Sequence, residues 1–95
     1  MEMIKVNEYF DGNVKSMALE NEDGRATVGV MAAGEFEFGT DTVEYMTVVA
    51  GSMTVLLPGE TEWKKYAPFQ TFVVPAGQRF KLRLEKPAAY RCIYK

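Results

Sequence analysis

From Gly34 to Gly39 the chain reads Gly-Glu-Phe-Glu-Phe-Gly, and from Arg79 to Glu85 it reads Arg-Phe-Lys-Leu-Arg-Leu-Glu. In both segments charge and apolar bulk alternate with a period of two. That alternation places the apolar side chains on one face of an extended strand and the charges on the other. Arg25–Ala32 repeats the pattern, with Ala26, Val28, Val30 and Ala32 on one face. Val14–Leu19, Val43–Ala50, Ser52–Leu57, Glu62–Tyr66, Thr71–Val74 and Tyr90–Tyr94 are further strand candidates, each rich in β-branched or aromatic residues. Turn chemistry separates them: Glu22-Asp23-Gly24, Gly39-Thr40-Asp41, Gly51-Ser52, Pro58-Gly59, Ala67-Pro68, Pro75-Ala76-Gly77 and Lys86-Pro87. No segment holds a 3.6-residue period over ten residues, so no substantial helix is expected. Nine short strands must close into a barrel or a two-sheet sandwich to protect their edges. The expectation is all-β: one small β-barrel spanning residues 1–95 as a single domain.

At 95 residues such a domain buries only somewhat over ~60% of the surface its unfolded chain exposes, so pairing with a second copy would add apolar burial. The formal charge of −2 gives no broad positive field, which makes nucleic acid and acidic membranes poor partners. The first residues show no secretory pattern, and no apolar run approaches the ~18 residues of a membrane helix. A lone cysteine, Cys92, excludes an intrachain disulfide and fits a reducing, cytoplasmic setting. Its simplest role is a small buried side chain.

The chain contains no histidine. Ser-His-Asp, Cys-His and His-metal arrangements are therefore gone, and neither a P-loop nor a dinucleotide glycine motif appears. Carboxylates, hydroxyls, arginines and aromatic rings remain, and they suit chemistry governed by positioning and electrostatics. Glu44 shares a strand face with Met46 and Val48. A carboxylate there is costly unless paired or solvated, so it lines a pocket or stands at the strand's wet end. Arg25 opens a strand after the Asp23-Gly24 turn, where a guanidinium can grip an anion through two donors or simply stand in solvent. Arg79, Lys81 and Arg83 form a basic row that reads most simply as a solvated face. Trp63, near Tyr66 and Phe69, reads as core or dimer contact, and Met3, Met17, Met31, Met46 and Met53 as gap-filling core.

Glu44, six residues, then Gly51 matches the second half of the first cupin motif without its two histidines. Pro75-Ala76-Gly77 matches the Pro-x-Gly of the second motif, with Phe69 in place of its leading glycine and Phe80 in place of its histidine. Along its whole length the chain resembles the short bacterial pyrimidine/purine nucleoside phosphorylase family. The similarity runs through Asn7-Glu8-Tyr9-Phe10, Val14-Lys15-Ser16, Gly24-Arg25, Val28-Gly29-Val30-Met31, Glu44, Met46-Thr47-Val48, Gly51, Val55-Leu56-Leu57-Pro58, Val74-Pro75 and Tyr90-x-Cys92-x-Tyr94. Departures fall at Phe69-Gln70, where the family tends to carry glycine, and at Gln78, where serine is usual.

The resemblance implies a metal-free cupin-type barrel (a jelly roll) with no cofactor, forming a homodimer. It implies phosphorolysis of purine and pyrimidine nucleosides by inorganic phosphate to free base and ribose 1-phosphate. At matched positions, the expected phosphate ligands are Arg25, Ser16 and Thr47. Glu44 is expected to hold the ribose hydroxyls and favour a cationic sugar, with Phe36 and Tyr9 stacking on the base. Lys15 and Tyr94 are secondary candidates. The alternative is a non-catalytic metal-free cupin that binds a small anion or sugar phosphate.

Overall fold

Alternation of apolar and charged side chains is realised most fully in the strand Arg79–Leu84, where Phe80, Leu82 and Leu84 are buried and Arg79, Lys81 and Arg83 are exposed. A computed structural model describes residues 4–95 and contains ten strands. They are β1 (Val6–Tyr9), β2 (Val14–Asn21), β3 (Gly24–Met31), β4 (Gly34–Gly39), β5 (Glu44–Ala50), β6 (Met53–Leu56), β7 (Lys64–Tyr66), β8 (Thr71–Val74), β9 (Arg79–Leu84) and β10 (Ala88–Tyr94). No helix occurs among the described residues, so none of them forms a helix long and apolar enough to cross a membrane.

The strands form two antiparallel sheets, one of six strands in the order β1-β2-β3-β10-β5-β8 and one of four in the order β4-β9-β6-β7. The expected closed barrel is thereby corrected. Among the described residues no ladder joins the two sheets; they share a core instead, with inward side chains from both. From the larger sheet come Val14, Met31, Met46, Val48, Phe72, Val74, Tyr90 and Cys92. The smaller sheet contributes Phe36, Met53, Val55, Tyr66, Phe80, Leu82 and Leu84. Burial of these side chains is the main favourable term holding one sheet to the other, at ~1.5–3 kcal/mol for each large apolar residue.

Three other expectations change. β1 was not anticipated, because Val6-Asn7-Glu8-Tyr9 has no apolar alternation; it is an edge strand held by β2 alone. Met17 is exposed and so is not core, whereas Met31, Met46 and Met53 are buried as expected. Met3 lies outside the described residues. The largest change is in β3. Thr27, Gly29 and Met31 face the core, while Val28 and Val30 are 44% and 56% exposed. The hydrophobic face of β3 points outward, the reverse of the alternation rule.

The basic row behaves as a solvated face. Arg79 pairs with Glu37 at 2.7 Å and Arg83 with Glu35 at 3.3 Å, and the Arg83 guanidinium lies 4.1 Å from the centre of the Trp63 ring. Trp63 is thus a half-buried surface residue, not part of the core.

Candidate functional site

Pairing register decides which side chains meet between the sheets. Tyr94 on β10 is paired with Arg25 on β3 and with Glu44 on β5, so Arg25, Tyr94 and Glu44 form one cross-strand row on the inner face. Strands lie ~4.8 Å apart, which sets the Arg25 and Glu44 backbones roughly 10 Å from each other. The next inward row is Thr27, Cys92 and Met46, and the one beyond it runs Ser16, Gly29, Tyr90 and Val48. Tyr9 on β1 and Phe38 and Phe80 from the opposite sheet complete the walls. With Arg25, Glu44, Met46, Ser16, Tyr90, Cys92 and Tyr94 from these rows they line a cleft of about 250 Å³, whose lining also includes Asp41 and Thr42.

The polar groups of the cleft are tied to one another. The Cys92 thiol donates to the Glu44 carboxylate (3.4 Å), and the Thr27 and Tyr94 hydroxyls share a hydrogen bond of 2.9 Å. Asn7 donates to the Ser16 hydroxyl at 3.4 Å. The Arg25 guanidinium lies 4.8 Å from the centre of the Tyr94 ring, a cation–π contact that holds it over the cleft. Burial raises the Glu44 pKa; the Cys92 hydrogen bond opposes this, Asp41 adds to it and Arg25 opposes it. Burial likewise pushes Tyr90 up to about 12, and raises Cys92 and Tyr94, which all stay protonated at neutral pH. The cleft therefore holds the Arg25 guanidinium, the Glu44 carboxylate, whose charge burial makes costly, the Asp41 carboxylate, and neutral hydroxyl and thiol donors.

Of the anticipated residues, the fold brings Tyr9, Ser16, Arg25, Glu44 and Tyr94 into this cleft. Thr47 is not among its walls. It sits one residue along from Met46 and so faces the opposite side of β5, where it bonds the Thr71 hydroxyl at 2.7 Å and accepts from Arg91 at 3.3 Å. Phe36 is buried against Phe10 behind the wall, and Phe38, two residues on, lines the cleft in its place. Lys15 is on the outer face of β2, paired with Glu8 at 3.6 Å.

Sequence reasoning missed Tyr90, Asp41 and Thr42. It also took Cys92 for packing alone, although the thiol is both buried and bonded to Glu44. The alternation Tyr90-x-Cys92-x-Tyr94 was the available signal, since it puts all three on one strand face. Thr40 was missed as well. Its buried hydroxyl donates to the Pro75 carbonyl at 2.6 Å and accepts from the Gln78 amide at 3.1 Å. This knot ties the Pro75-Ala76-Gly77 turn to the segment that carries Asp41, Thr42 and Glu44.

Residues 4–94 match the family model described as pyrimidine/purine nucleoside phosphorylase. A curated relative of that name from Pseudomonas aeruginosa is 56% identical over 93 residues, which cover 98% of this chain and 100% of the relative. Another from Tolumonas auensis is 53% identical over the same coverage. Among solved structures, a protein of unknown function from Vibrio parahaemolyticus superposes with a TM-score of 0.95 at 39% identity, covering 99% of this chain and 100% of that one. A second of unknown function, from Acinetobacter, gives 0.91 at 30% identity, covering 96% and 90%.

Proposed function

The chain belongs to the pyrimidine/purine nucleoside phosphorylase family, and from that premise we propose that it is a pentosyltransferase that cleaves nucleosides with inorganic phosphate. The observation that carries the reading is the Arg25–Tyr94–Glu44 row: a cation and a carboxylate that line one cleft from strands whose backbones lie roughly 10 Å apart. That arrangement suits a phosphate at one end and a sugar at the other.

In the proposed reaction a phosphate oxygen bonds to C1′ of the ribose as the bond from C1′ to the base nitrogen breaks. The bonding pair leaves with the base, which gains the proton that hydrogen phosphate gives up, and the products are free base and ribose 1-phosphate. Positive charge develops on the sugar, as in glycoside cleavage. Arg25 and the Ser16 hydroxyl hold the phosphate against C1′. Glu44 accepts hydrogen bonds from the ribose hydroxyls and favours the cationic sugar, its Cys92 bond fixing which oxygen is free. Tyr9 and Phe38 offer ring faces to the base, and stacking accepts purine and pyrimidine alike. The sandwich is proposed to be the cupin jelly roll of the family, working in the cytoplasm.

The experiment is release of free base from uridine and adenosine with and without inorganic phosphate. Phosphate-dependent release is expected. Nucleoside or phosphate binding without release would instead establish a non-catalytic binding module.

We also propose that the active form is a homodimer joined through the outer face of the six-stranded sheet. Leu19, Ala26, Ile93, Tyr45 and Val73 form an unbroken row across five strands of that face. Beside it lie Val6, Met17, Val28, Val30 and Val49, all exposed. Exposed apolar side chains spread across one sheet face mark an interaction surface, and each partner of a stable interface covers ~800 Å². Lys15 and Glu8 cancel on this face, which also carries Arg91, bonded to Thr47, and Lys95, lying over the Tyr45 ring. A single species of 10.7 kDa in sedimentation would overturn the dimer.

A further inference from the structure

The turn between β1 and β2 holds two non-glycine residues in succession in the left-handed region, Phe10 at φ 54° and Asp11 at φ 58°. The Gly12 amide donates to the Tyr9 carbonyl at 3.2 Å. Such a tight turn, with both central residues at positive φ, favours Asn-Gly or Asp-Gly. A bulky aromatic residue there is an outlier, and outliers persist where the surroundings hold them, often at ligand clamps.

The surroundings of Phe10 are aromatic. Its ring is 5.1 Å from Phe36 and meets Phe38 edge-on at 5.4 Å. Phe38 in turn meets Tyr9 edge-on at 6.2 Å and stacks on Phe80 at 5.9 Å. Tyr9, Phe38 and Phe80 line the cleft, whereas Phe10 does not. The strained backbone thus presses a ring from the turn after the edge strand of one sheet onto the aromatic wall of the other, just behind the cleft. Phe69 is a useful contrast. It too is left-handed, at φ 70°, but it is 81% exposed and has no aromatic partner among the described residues.

We propose that Phe10 is a positioning residue whose strained turn clamps Tyr9 and Phe38 into the wall that receives the base of the nucleoside. The inference rests on the phosphorylase reading. Phe10→Asn removes the ring and supplies a residue that accepts positive φ, so the turn is kept. In steady-state phosphorolysis the KM for nucleoside should rise about tenfold in Phe10→Asn, while the KM for phosphate stays within about twofold. Its melting temperature should not fall by more than a few degrees. Phe10→Tyr, which keeps the ring, should restore the nucleoside KM. Phe69→Gly should melt higher and leave both KM values unchanged.

An unchanged nucleoside KM in Phe10→Asn would overturn the clamp. So would a parallel rise of both KM values with a lower melting temperature, which would mark Phe10 as a general packing residue. A shift in Phe69→Gly as large as that in Phe10→Asn would overturn it too. If Phe10→Asn does not fold, Phe10→Leu decides by the same comparison. Wild-type protein that releases no base in phosphate would sink the phosphorylase reading, and the clamp with it. That failure is distinct, because it appears before any substitution is made.

Discussion

Gly29 sits in mid-strand with an ordinary backbone, so nothing in its own conformation asks for glycine. Alanine at such a site should stabilise the protein by ~0.4–1 kcal/mol, since it narrows the unfolded ensemble. The structure predicts the opposite sign. A Cβ on residue 29 would lie 2.6 Å from the Lys15 carbonyl oxygen, 2.7 Å from the Tyr90 hydroxyl and 2.8 Å from Tyr90 Cε1. Ordinary contacts need ~3.5–4.0 Å, so something must move by about 1 Å. The carbonyl belongs to the adjoining strand, and Tyr90 is buried with its ring laid across β3. Overpacking of this kind costs ~1–3 kcal/mol, and a disturbed buried hydrogen bond adds ~1 kcal/mol. Gly29→Ala should therefore lose about 2–4 kcal/mol, which for a domain of this size lowers Tm by about 10–25 °C. Thermal and urea unfolding at one fixed protein concentration would measure it. Adding Tyr90→Phe should recover only part of the loss, because the ring edge and the carbonyl remain. Gly59→Ala is the control: nothing lies within 4 Å, and its φ of 75° alone should cost ~1–2 kcal/mol. A Gly29→Ala protein as stable as wild type or more so would refute the close approach of Tyr90 to β3.

Arg25→Ala should retain its fold and lose ~10²–10³ in turnover, the usual effect of deleting a preorganised donor; near-wild-type phosphorolysis would remove Arg25 from the phosphate site. Glu44→Gln should lose activity and gain stability. Burial raises the folded pKa of Glu44 above its ordinary 4.5, so the folded state binds the proton more tightly and stability falls as pH rises from 4.5 through the raised value. Glutamine abolishes that fall, and a Glu44→Gln protein that melts no higher than wild type at pH 7 would contradict it. Val28→Glu puts a charge into the proposed dimer face and should yield a folded monomer in sedimentation, whereas an intact dimer would place the interface elsewhere.

How much of this was legible beforehand depends on what each strand faces. β4 and β9 have solvent on one side and core on the other, so their alternation could be read directly from Glu35-Phe36-Glu37-Phe38 and Arg79–Leu84. Arg25 and Glu44 could be singled out because each breaks the local pattern: one opens a strand with charge, and the other sits on an apolar face. β1 was illegible because an edge strand buries little and needs no pattern. Thr47 and Phe36 were matched to the right strands, but Thr47 faces away from the cleft and Phe36 lies behind its wall. For Thr47 the step from Met46 to its neighbour reverses the face.

β3 failed for a deeper reason. Its inner side carries Arg25, Thr27 and Gly29: a charge, a hydroxyl bonded to Tyr94, and a vacancy filled by Tyr90. A strand whose inward face builds a polar cleft has little apolar surface left to give the core on that side. Its valines, with Met17 and Leu19 beside them, are turned outward. In a lone small domain that arrangement would waste the strongest stabilising term available. Covered by an identical copy, the outer face becomes a second core, and the inner face is released for chemistry. On this argument the proposed dimer and the proposed cleft are two sides of one sheet. Val28→Glu, acting from the face opposite Arg25 and Thr27, should then lower Tm and phosphorolysis together, without touching a substrate.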